Sequence, residues 1–162
     1  MTVRQAIPAD ADAIAAIWNP MIRDSAVTFN SVERSVDDIF EMIVTRQSAG
    51  HGFWVAELNG DVVGFATYAQ FRGGVGYART MEHTIILAPN AHGQGLGRAL
   101  MMCLEDHARG NGVHSMFAGV SSGNPDGIAF HAALGYKAVV TLSEVGYKFG
   151  RWYDLHLMQK FL

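Results

Sequence analysis

The sequence has a single cysteine, Cys103, which excludes an internal disulfide framework. The seven histidines are not spaced with cysteine or carboxylates in the way that zinc ligands are, so we expect no bound metal. Long apolar runs are also missing, since no stretch approaches the roughly 18 apolar residues of a membrane-spanning helix. Residues 1–10 lack the basic region and apolar core of a secretion signal. We therefore expect a cytoplasmic protein that does not contact a membrane.

An excess of positive charge is absent as well. Twelve Lys and Arg residues against fifteen Asp and Glu residues give a formal net charge of −3 at pH 7. No global basic field is available to bind a nucleic-acid backbone, so any anion site must be local. Hydrophobic residues make up 49% of the chain and charged residues 17%, which is ordinary for a globular protein. The length of 162 residues predicts one domain covering residues 1–162.

The first part of the chain predicts a strand followed by two helices. Residues 2–7 are expected as a strand, and Asp10 as the N-cap of the helix that follows. A second amphipathic helix is expected from about Ser35 to Ser48, before Ala49-Gly50. Its inward residues are expected to be Val36, Ile39, Phe40, Ile43 and Val44.

The rest of the chain predicts a hairpin and then alternating strands and helices. Asn59-Gly60 joins two β-rich segments, which is a strong hairpin signal. Residues 77–87 are expected as a central strand, because Ile85-Ile86-Leu87 is apolar on both faces. A helix follows Gly95. Later elements are expected as a strand over residues 113–120, a helix over 125–134, and strands over 136–145 and 151–161. This order predicts a mixed sheet with helices on both faces.

A glycine-rich loop lies between the central strand and the next helix, with the sequence His92-Gly93-Gln94-Gly95-Leu96-Gly97-Arg98. Unhindered backbone N–H groups at a helix N-terminus suit a phosphate, although the glycines could simply form a tight turn. Arg98-Ala99 stands where a P-loop needs Lys-Ser/Thr. Arg98 also stands where a dinucleotide-binding fingerprint needs its third glycine. Both of those phosphate sites are excluded.

The loop resembles the pyrophosphate loop of the GNAT family of N-acetyltransferases, Arg/Gln-x-x-Gly-x-Gly/Ala, with His92 at the first position. The resemblance covers nearly the whole chain and favours the phosphinothricin-type branch, which acetylates amino-acid-like amines. The matching segments are Trp18-Asn19-Pro20, Thr80-Met81-Glu82-His83-Thr84, Gly123-Asn124-Pro125, Phe130-His131-Ala132-Ala133-Leu134-Gly135-Tyr136 and Val145-Gly146-Tyr147-Lys148-Phe149-Gly150-Arg151-Trp152. The resemblance implies an α/β (α+β) GNAT fold, a mixed sheet of about seven strands splayed open in a V.

The same resemblance implies acetyl-CoA as co-substrate. The pantetheine arm would pair like an extra strand with Ile85, Ile86 and Leu87. The loop residues His92, Gly93, Gln94, Gly95, Leu96, Gly97 and Arg98 would bind the pyrophosphate. Asn124 and His131 would also contact the cofactor, although Asn124 could instead cap the short helix and His131 could be structural. The branch often has serine three positions after Asn124, where this chain has Gly127.

Glu82 is the candidate general base, acting directly or through a water. The attacking amine must lose a proton, and a half-buried carboxylate with a raised pKa can accept it. Glu82 also matches the acidic position of the branch. His83 points to the opposite face of the strand and is expected to be a packed, neutral histidine. Tyr136 and Tyr147 are hydroxyl candidates for a general acid, and neither is assigned.

The acceptor side carries Phe29, Arg72 and Arg79 as candidates. Phe29 matches an aromatic wall of the branch's pocket, and the two arginines could bind a carboxylate or phosphinate or be ordinary surface residues. With Glu82 they predict a small zwitterionic acceptor of the methionine sulfoximine or phosphinothricin type. An acetyltransferase for an aminoglycoside or a peptide N-terminus, and a non-catalytic acyl-CoA sensor, are the alternatives. The resemblance also implies a homodimer.

Overall fold

The computed structural model describes every residue, Met1–Leu162. The strands are β1 (Thr2–Gln5), β2 (Phe53–Leu58), β3 (Asp61–Gln70), β4 (Thr80–Leu87), β5 (Ser115–Ser121), β6 (Lys137–Lys148) and β7 (Arg151–Phe161). The helices are α1 (Ala11–Asp24), α2 (Val36–Ser48), α3 (Leu96–Gly110) and α4 (Pro125–Ala133). The strands form one mixed sheet in the order β1-β2-β3-β4-β5-β7-β6. This confirms the predicted architecture, with β4 in the centre.

The sheet parts between β4 and β5. These two parallel strands pair only where residues 80–83 face residues 115–118. Beyond His83, residues 84–87 of β4 pair on one side only, with β3, while β5 continues against β7. The sheet therefore opens as the predicted V, and β4 leaves the open end toward the glycine-rich loop.

Helices cover both faces of the sheet. On one face α1 and α2 pack around Ile14, Phe65 and their neighbours. On the other face α3 buries Leu100 against Met116, and Phe130 of α4 packs against the same core. Burial of each such side chain contributes about 1.5–3 kcal/mol, so the two cores fix the sheet from both sides. None of the helices is long and apolar enough to cross a membrane.

The hairpin turn and the start of α2 lie where the sequence predicts them, and the structure shows what holds each. Asn59 and Gly60 both have positive φ, 54° and 90°, as the turn of a two-residue hairpin requires. Ser35 is the N-cap of α2, and its hydroxyl accepts a hydrogen bond from the N–H of Asp38 at 3.0 Å. The Asp38 carboxylate accepts one from the N–H of Ser35 at 3.3 Å, which completes a capping box.

The expected capping role of Asp10 is wrong. The turn Pro8–Asp10 is already a 3-10 helix, so the backbone of Asp10 is helical (φ −77°, ψ −8°) and its side chain makes no cap hydrogen bond. Its carboxylate instead accepts hydrogen bonds from the Ile7 N–H at 2.8 Å and from Arg4 at 2.9 Å. The Arg4–Asp10 salt bridge therefore lies directly before the first residue of α1.

The expected inward face of α2 is partly wrong. Ile39 and Ile43 are fully buried, but Val36, Phe40 and Val44 are 40%, 48% and 42% exposed. Because α2 packs on α1 and on β2 near the edge of the sheet, only a narrow stripe of the helix is covered.

Two strand boundaries also differ from those expected. Val75–Tyr77 forms a 3-10 turn, so β4 begins at Thr80 and not at Tyr77. Gly74 has a φ of 102° and breaks the extended backbone before that turn. At the other end of the chain, β6 continues to Lys148 because it pairs with β7 as far as Arg151.

Candidate active site

A cleft of about 290 Å³ lies where β4 and β5 part. Glu82 and Thr84 of β4, Gly119 of β5 and Phe29 from the segment after α1 are among its lining residues. A second cavity of about 200 Å³ continues along residues 85–87 to His92, and a third of about 320 Å³ lies over the glycine-rich loop. The second cavity shares lining residues with each of the other two, so the three form one trough from Glu82 to the start of α3.

Glu82 is a half-buried carboxylate without a partner. It makes no ion pair or side-chain hydrogen bond, and burial raises its pKa above the ordinary value of 4.5. It lies against Gly119, where an added β-carbon would sit 3.3 Å from Oε2. An unpaired carboxylate in a cleft is available to accept a proton from a bound ammonium group.

His83 and His131 form a buried pair with their Nε2 atoms 2.8 Å apart, and both also line the cleft that contains Glu82. His131 Nδ1 lies 2.7 Å from the carbonyl oxygen of Gly127, so Nδ1 donates and His131 Nε2 must accept a hydrogen bond from His83. Burial and the neighbouring imidazole lower the pKa of His83 to about 3. Both rings are therefore neutral near pH 7, and His83 is packed as its place in the strand predicts.

The glycine-rich loop has the backbone geometry of an anion site. Gly93 and Gly95 have positive φ, 74° and 78°, and Gly95 is the N-cap of α3. The N–H groups of Leu96, Gly97 and Arg98 have no acceptor within the chain. An added β-carbon on Gly97 would lie 3.1 Å from Phe130 and 3.2 Å from Leu87, so this glycine permits close packing. The loop fits a pyrophosphate.

The side chains of His92, Gln94 and Arg98 are exposed, whereas Leu96 of the loop is buried in the core. His92 lies at the junction of the second and third cavities. Gln94 donates to the Asn90 carbonyl at 2.6 Å, and Arg98 reaches the Ala133 carbonyl at 3.4 Å. The anion site therefore consists mainly of free backbone N–H groups, and the Arg98 guanidinium lies beside them.

The free edge of β4 suits an extended ligand arm. Ile85, Ile86 and Leu87 pair with Ala66, Phe65 and Gly64 of β3 but with nothing on the β5 side. This edge can pair with an amide-containing chain in the way that an added strand does.

Asn124 caps α4 and also lines the cleft. Its side-chain oxygen accepts a hydrogen bond from the Gly127 N–H at 3.1 Å. An added β-carbon on Gly127 would lie 2.5 Å from Asn124 Nδ2, so a serine at 127 would displace the asparagine. Asn124 therefore has the capping role, while its amide group remains next to the second cavity.

Phe29 is held against the β6–β7 hairpin. An added β-carbon on Gly146 would lie 2.5 Å from the Phe29 ring, and the ring centroid of Tyr153 is 6.0 Å away. The ammonium of buried Lys148 lies 2.6–2.9 Å from four backbone carbonyl oxygens, that of Ile22 near the end of α1 and those of Ser25, Thr28 and Asn30 in the segment that follows, and its three N–H groups are shared among them. This segment forms one wall of the cleft.

The structure does not bring Arg72 and Arg79 to the cleft. Both side chains are exposed, and neither lines a cavity of the trough. Their role in acceptor binding stays a prediction. Tyr136 donates to Glu105 at 3.1 Å away from the cleft, and Tyr147 is 59% exposed. Neither hydroxyl is positioned as a general acid.

Arg34 is a cleft residue that the sequence pattern did not indicate. It belongs to the segment between α1 and α2, and its guanidinium carbon lies 4.3 Å from the centroid of the Trp18 ring. No cluster of three or more His, Cys, Asp and Glu residues is placed to hold a metal ion.

Comparison with known proteins agrees with this geometry. The model of the acetyltransferase (GNAT) family matches residues 18–136. An L-amino acid N-acyltransferase, MnaT, from Escherichia coli is 38% identical over 98% of this chain and 92% of its own length. An L-methionine sulfoximine/L-methionine sulfone acetyltransferase from Salmonella typhimurium is also 38% identical, over 98% of this chain and 93% of its own.

A solved Salmonella typhimurium acetyltransferase in complex with its cofactor acetyl-CoA superimposes with a TM-score of 0.96. It is 38% identical, and the match covers 100% of this chain and 94% of that one. The chain therefore belongs to the acetyltransferase (GNAT) family and is an acetyl-CoA-dependent N-acetyltransferase.

Proposed function

We propose that the enzyme acetylates the primary amine of a small amino-acid-like acceptor of the methionine sulfoximine or phosphinothricin type. The observation that carries the proposal is the position of Glu82, an unpaired half-buried carboxylate at the end of a trough that runs to an anion-binding loop. The names of relatives with 34–38% identity, an L-amino acid N-acyltransferase, a methionine sulfoximine acetyltransferase and a phosphinothricin N-acetyltransferase, support the acceptor class.

Acetyl-CoA supplies the activated acyl group, and the residues of the trough would hold it. The free N–H groups at the start of α3 would bind the pyrophosphate, with His92, Gln94 and Arg98 beside it. Ile85, Ile86 and Leu87 would pair with the pantetheine arm. Asn124 and His131 line the cavity between these two parts and would contact the same arm.

Glu82 would prepare the acceptor. An amine is mostly protonated near neutral pH, and only the neutral form has the lone pair that attacks a thioester. The raised pKa of Glu82 brings its basicity nearer to the working pH, so the carboxylate can remove the proton directly or through a water. Phe29 would cover the acceptor, and Arg72 and Arg79 stay candidates for its anionic group.

An acceptor panel tests the proposal. The purified enzyme, acetyl-CoA and one amine at a time are mixed, and the released CoA thiol is measured. Methionine sulfoximine and phosphinothricin should give the highest kcat/KM. The proposal would be overturned if turnover were confined to an aminoglycoside, a polyamine or a peptide N-terminus.

We further propose that the enzyme is a homodimer. β6 is the last strand of the sheet, so its outer edge has no partner. Val145 and Tyr147 of β6 are 52% and 59% exposed, and Trp152 of β7, which pairs with Tyr147, is 55% exposed. Unpaired edges and exposed apolar clusters are typical of protein interfaces. The cytoplasmic location expected from the sequence stays a prediction.

A further inference from the structure

The cleft contains a cation as well as the Glu82 carboxylate. Arg34 lines the same cavity as Glu82 and Thr84. Its main chain is held on both sides by Asn19, whose side chain donates to the Arg34 carbonyl at 2.9 Å and accepts from the Arg34 N–H at 2.8 Å. The guanidinium stacks on Trp18, and Trp18 itself packs on Phe65 of the core. Arg34 is therefore a fixed part of the cleft wall.

The Arg34 guanidinium has no anionic partner within the chain. It forms no salt bridge and donates no side-chain hydrogen bond, and its Nε atom is buried without an acceptor. The adjacent carboxylate, Glu33, is engaged elsewhere, since it pairs with Arg23 at 3.2 Å on the surface. A guanidinium with several unused N–H groups is suited to bind a carboxylate in a two-pronged way.

A second arginine reinforces the local positive charge. Arg46 of α2 is also without a carboxylate partner, and its side chain donates only to the Thr67 hydroxyl at 3.0 Å. Burial and the charge of Arg34 lower the pKa of Arg46 to about 10. Two neighbouring cations that no carboxylate neutralises favour an anion on the cleft side of Arg34.

We propose that Arg34 binds the carboxylate of the acceptor, while the amine of the acceptor faces Glu82. The enzyme then selects acceptors that carry both an amine and an anionic group. This inference rests on the proposed function and deepens it, since it assigns the anion site to Arg34 and not to Arg72 or Arg79, which lie outside the cleft.

The test compares one acceptor with and without its negative charge. L-Methionine sulfoximine and its α-carboxamide carry the same amine, but only the first offers a carboxylate. Arg34→Met should raise the KM for the acid about 10- to 100-fold, the loss expected for charge-assisted hydrogen bonds. The KM values for the carboxamide and for acetyl-CoA should stay close to those of the wild type. Arg34→Lys should retain part of the preference for the acid.

Matched variants separate this proposal from the alternatives. Arg109→Met removes a surface arginine that pairs with Asp106 at the end of α3, and it should behave like the wild type. Turnover of the carboxamide by Arg34→Met reports that this variant is folded. The inference is overturned if Arg34→Met keeps the wild-type preference for the acid, or if Arg72→Met with Arg79→Met abolishes that preference instead. A wild type that acetylates both compounds equally overturns this inference alone, whereas one that acetylates neither overturns the proposed function.

Discussion

Glu82 is held in the cleft at a cost to stability. Its carboxylate is half-buried with neither an ion pair nor a hydrogen bond, and burial of a charge disfavours the ionised form. A stabilising partner would lower its pKa and weaken it as a base. The lack of an ion-pair or hydrogen-bond partner therefore destabilises the fold, but it also keeps the pKa of Glu82 raised, which suits a group that accepts a proton.

Replacement of Glu82 by glutamine tests its role in turnover. Glu82→Gln should lower kcat about 10²- to 10⁴-fold, the usual contribution of a general base, and leave the KM for acetyl-CoA nearly unchanged. The wild-type kcat/KM should also rise with pH through an ionisation above 4.5, because the base must be deprotonated. Steady-state assays across pH measure both effects. A Glu82→Gln variant that retains full kcat would remove Glu82 from the mechanism.

The same substitution should stabilise the folded protein. The folded-state pKa of Glu82 is raised, so folding becomes less favourable as pH rises through that pKa and the carboxylate ionises. Glu82→Gln removes this penalty and should raise the melting temperature near neutral pH. The difference should shrink as pH falls through the raised folded-state pKa and vanish below 4.5, where the wild-type side chain is protonated in both states. A melting temperature that is lower than the wild type's at neutral pH would refute this account.

A cleft residue could be predicted from the sequence only where a local sequence pattern determines its position in the fold. Glu82 follows from strand alternation and family resemblance, and the free N–H groups of the loop follow from Gly93 and Gly95. Arg34 could not be found in this way. Its position depends on the path of residues 25–35, and that path is set by hydrogen bonds from Lys148, far along the chain.

At the scale of elements, Lys148 ties β6 to the segment after α1. Lys148 is only 4% exposed, and its ammonium is surrounded by four carbonyl oxygens. Lys148→Met should lower the free energy of unfolding by about 2–4 kcal/mol, because these carbonyls lose a charged donor. It should also raise the KM for the acceptor, since Thr28 and Phe29 of the segment line the cleft. Denaturant unfolding and acceptor kinetics measure the two effects.

Lys137→Met is the control for this substitution. Lys137 begins the same strand but is exposed, so its loss should change the free energy of unfolding by no more than about 0.5 kcal/mol. The KM for acetyl-CoA should change less than the KM for the acceptor, because only Val27 of the segment lines the second cavity and no residue of the segment lines the third. Equal behaviour of the two lysine variants would show that Lys148 has no special role.

The elements themselves were predictable where one residue determines the backbone. Asn59-Gly60 fixed a hairpin, and Ser35 with Asp38 fixed the start of α2. The inward face of α2 was not predictable from its period, because the neighbours of α2 decide how many of its apolar residues are covered. Phe40 continues the apolar face yet remains 48% exposed, since nothing packs beyond that side of the helix.

For the whole molecule, the proposed dimer gives a direct prediction. Light scattering should give twice the chain mass of 17.6 kDa. Val145→Lys combined with Tyr147→Lys should yield a folded monomer, because both side chains are exposed in the single chain. Val75→Lys is the control, since Val75 is 93% exposed on the turn before β4 and should leave the dimer intact. A wild type that elutes as a monomer at micromolar concentration would refute the dimer.

The narrow join between β4 and β5 determines where the V closes. Only residues 80–83 and 115–118 pair across it, and Glu82 lies within that join. The Glu82 carboxylate therefore belongs to a part of the sheet that is paired on both sides, whereas residues 84–87 pair on one side only. A long ligand can lie along the open edge of β4 and still present one end to a carboxylate whose position, beside Gly119, is set by the sheet itself.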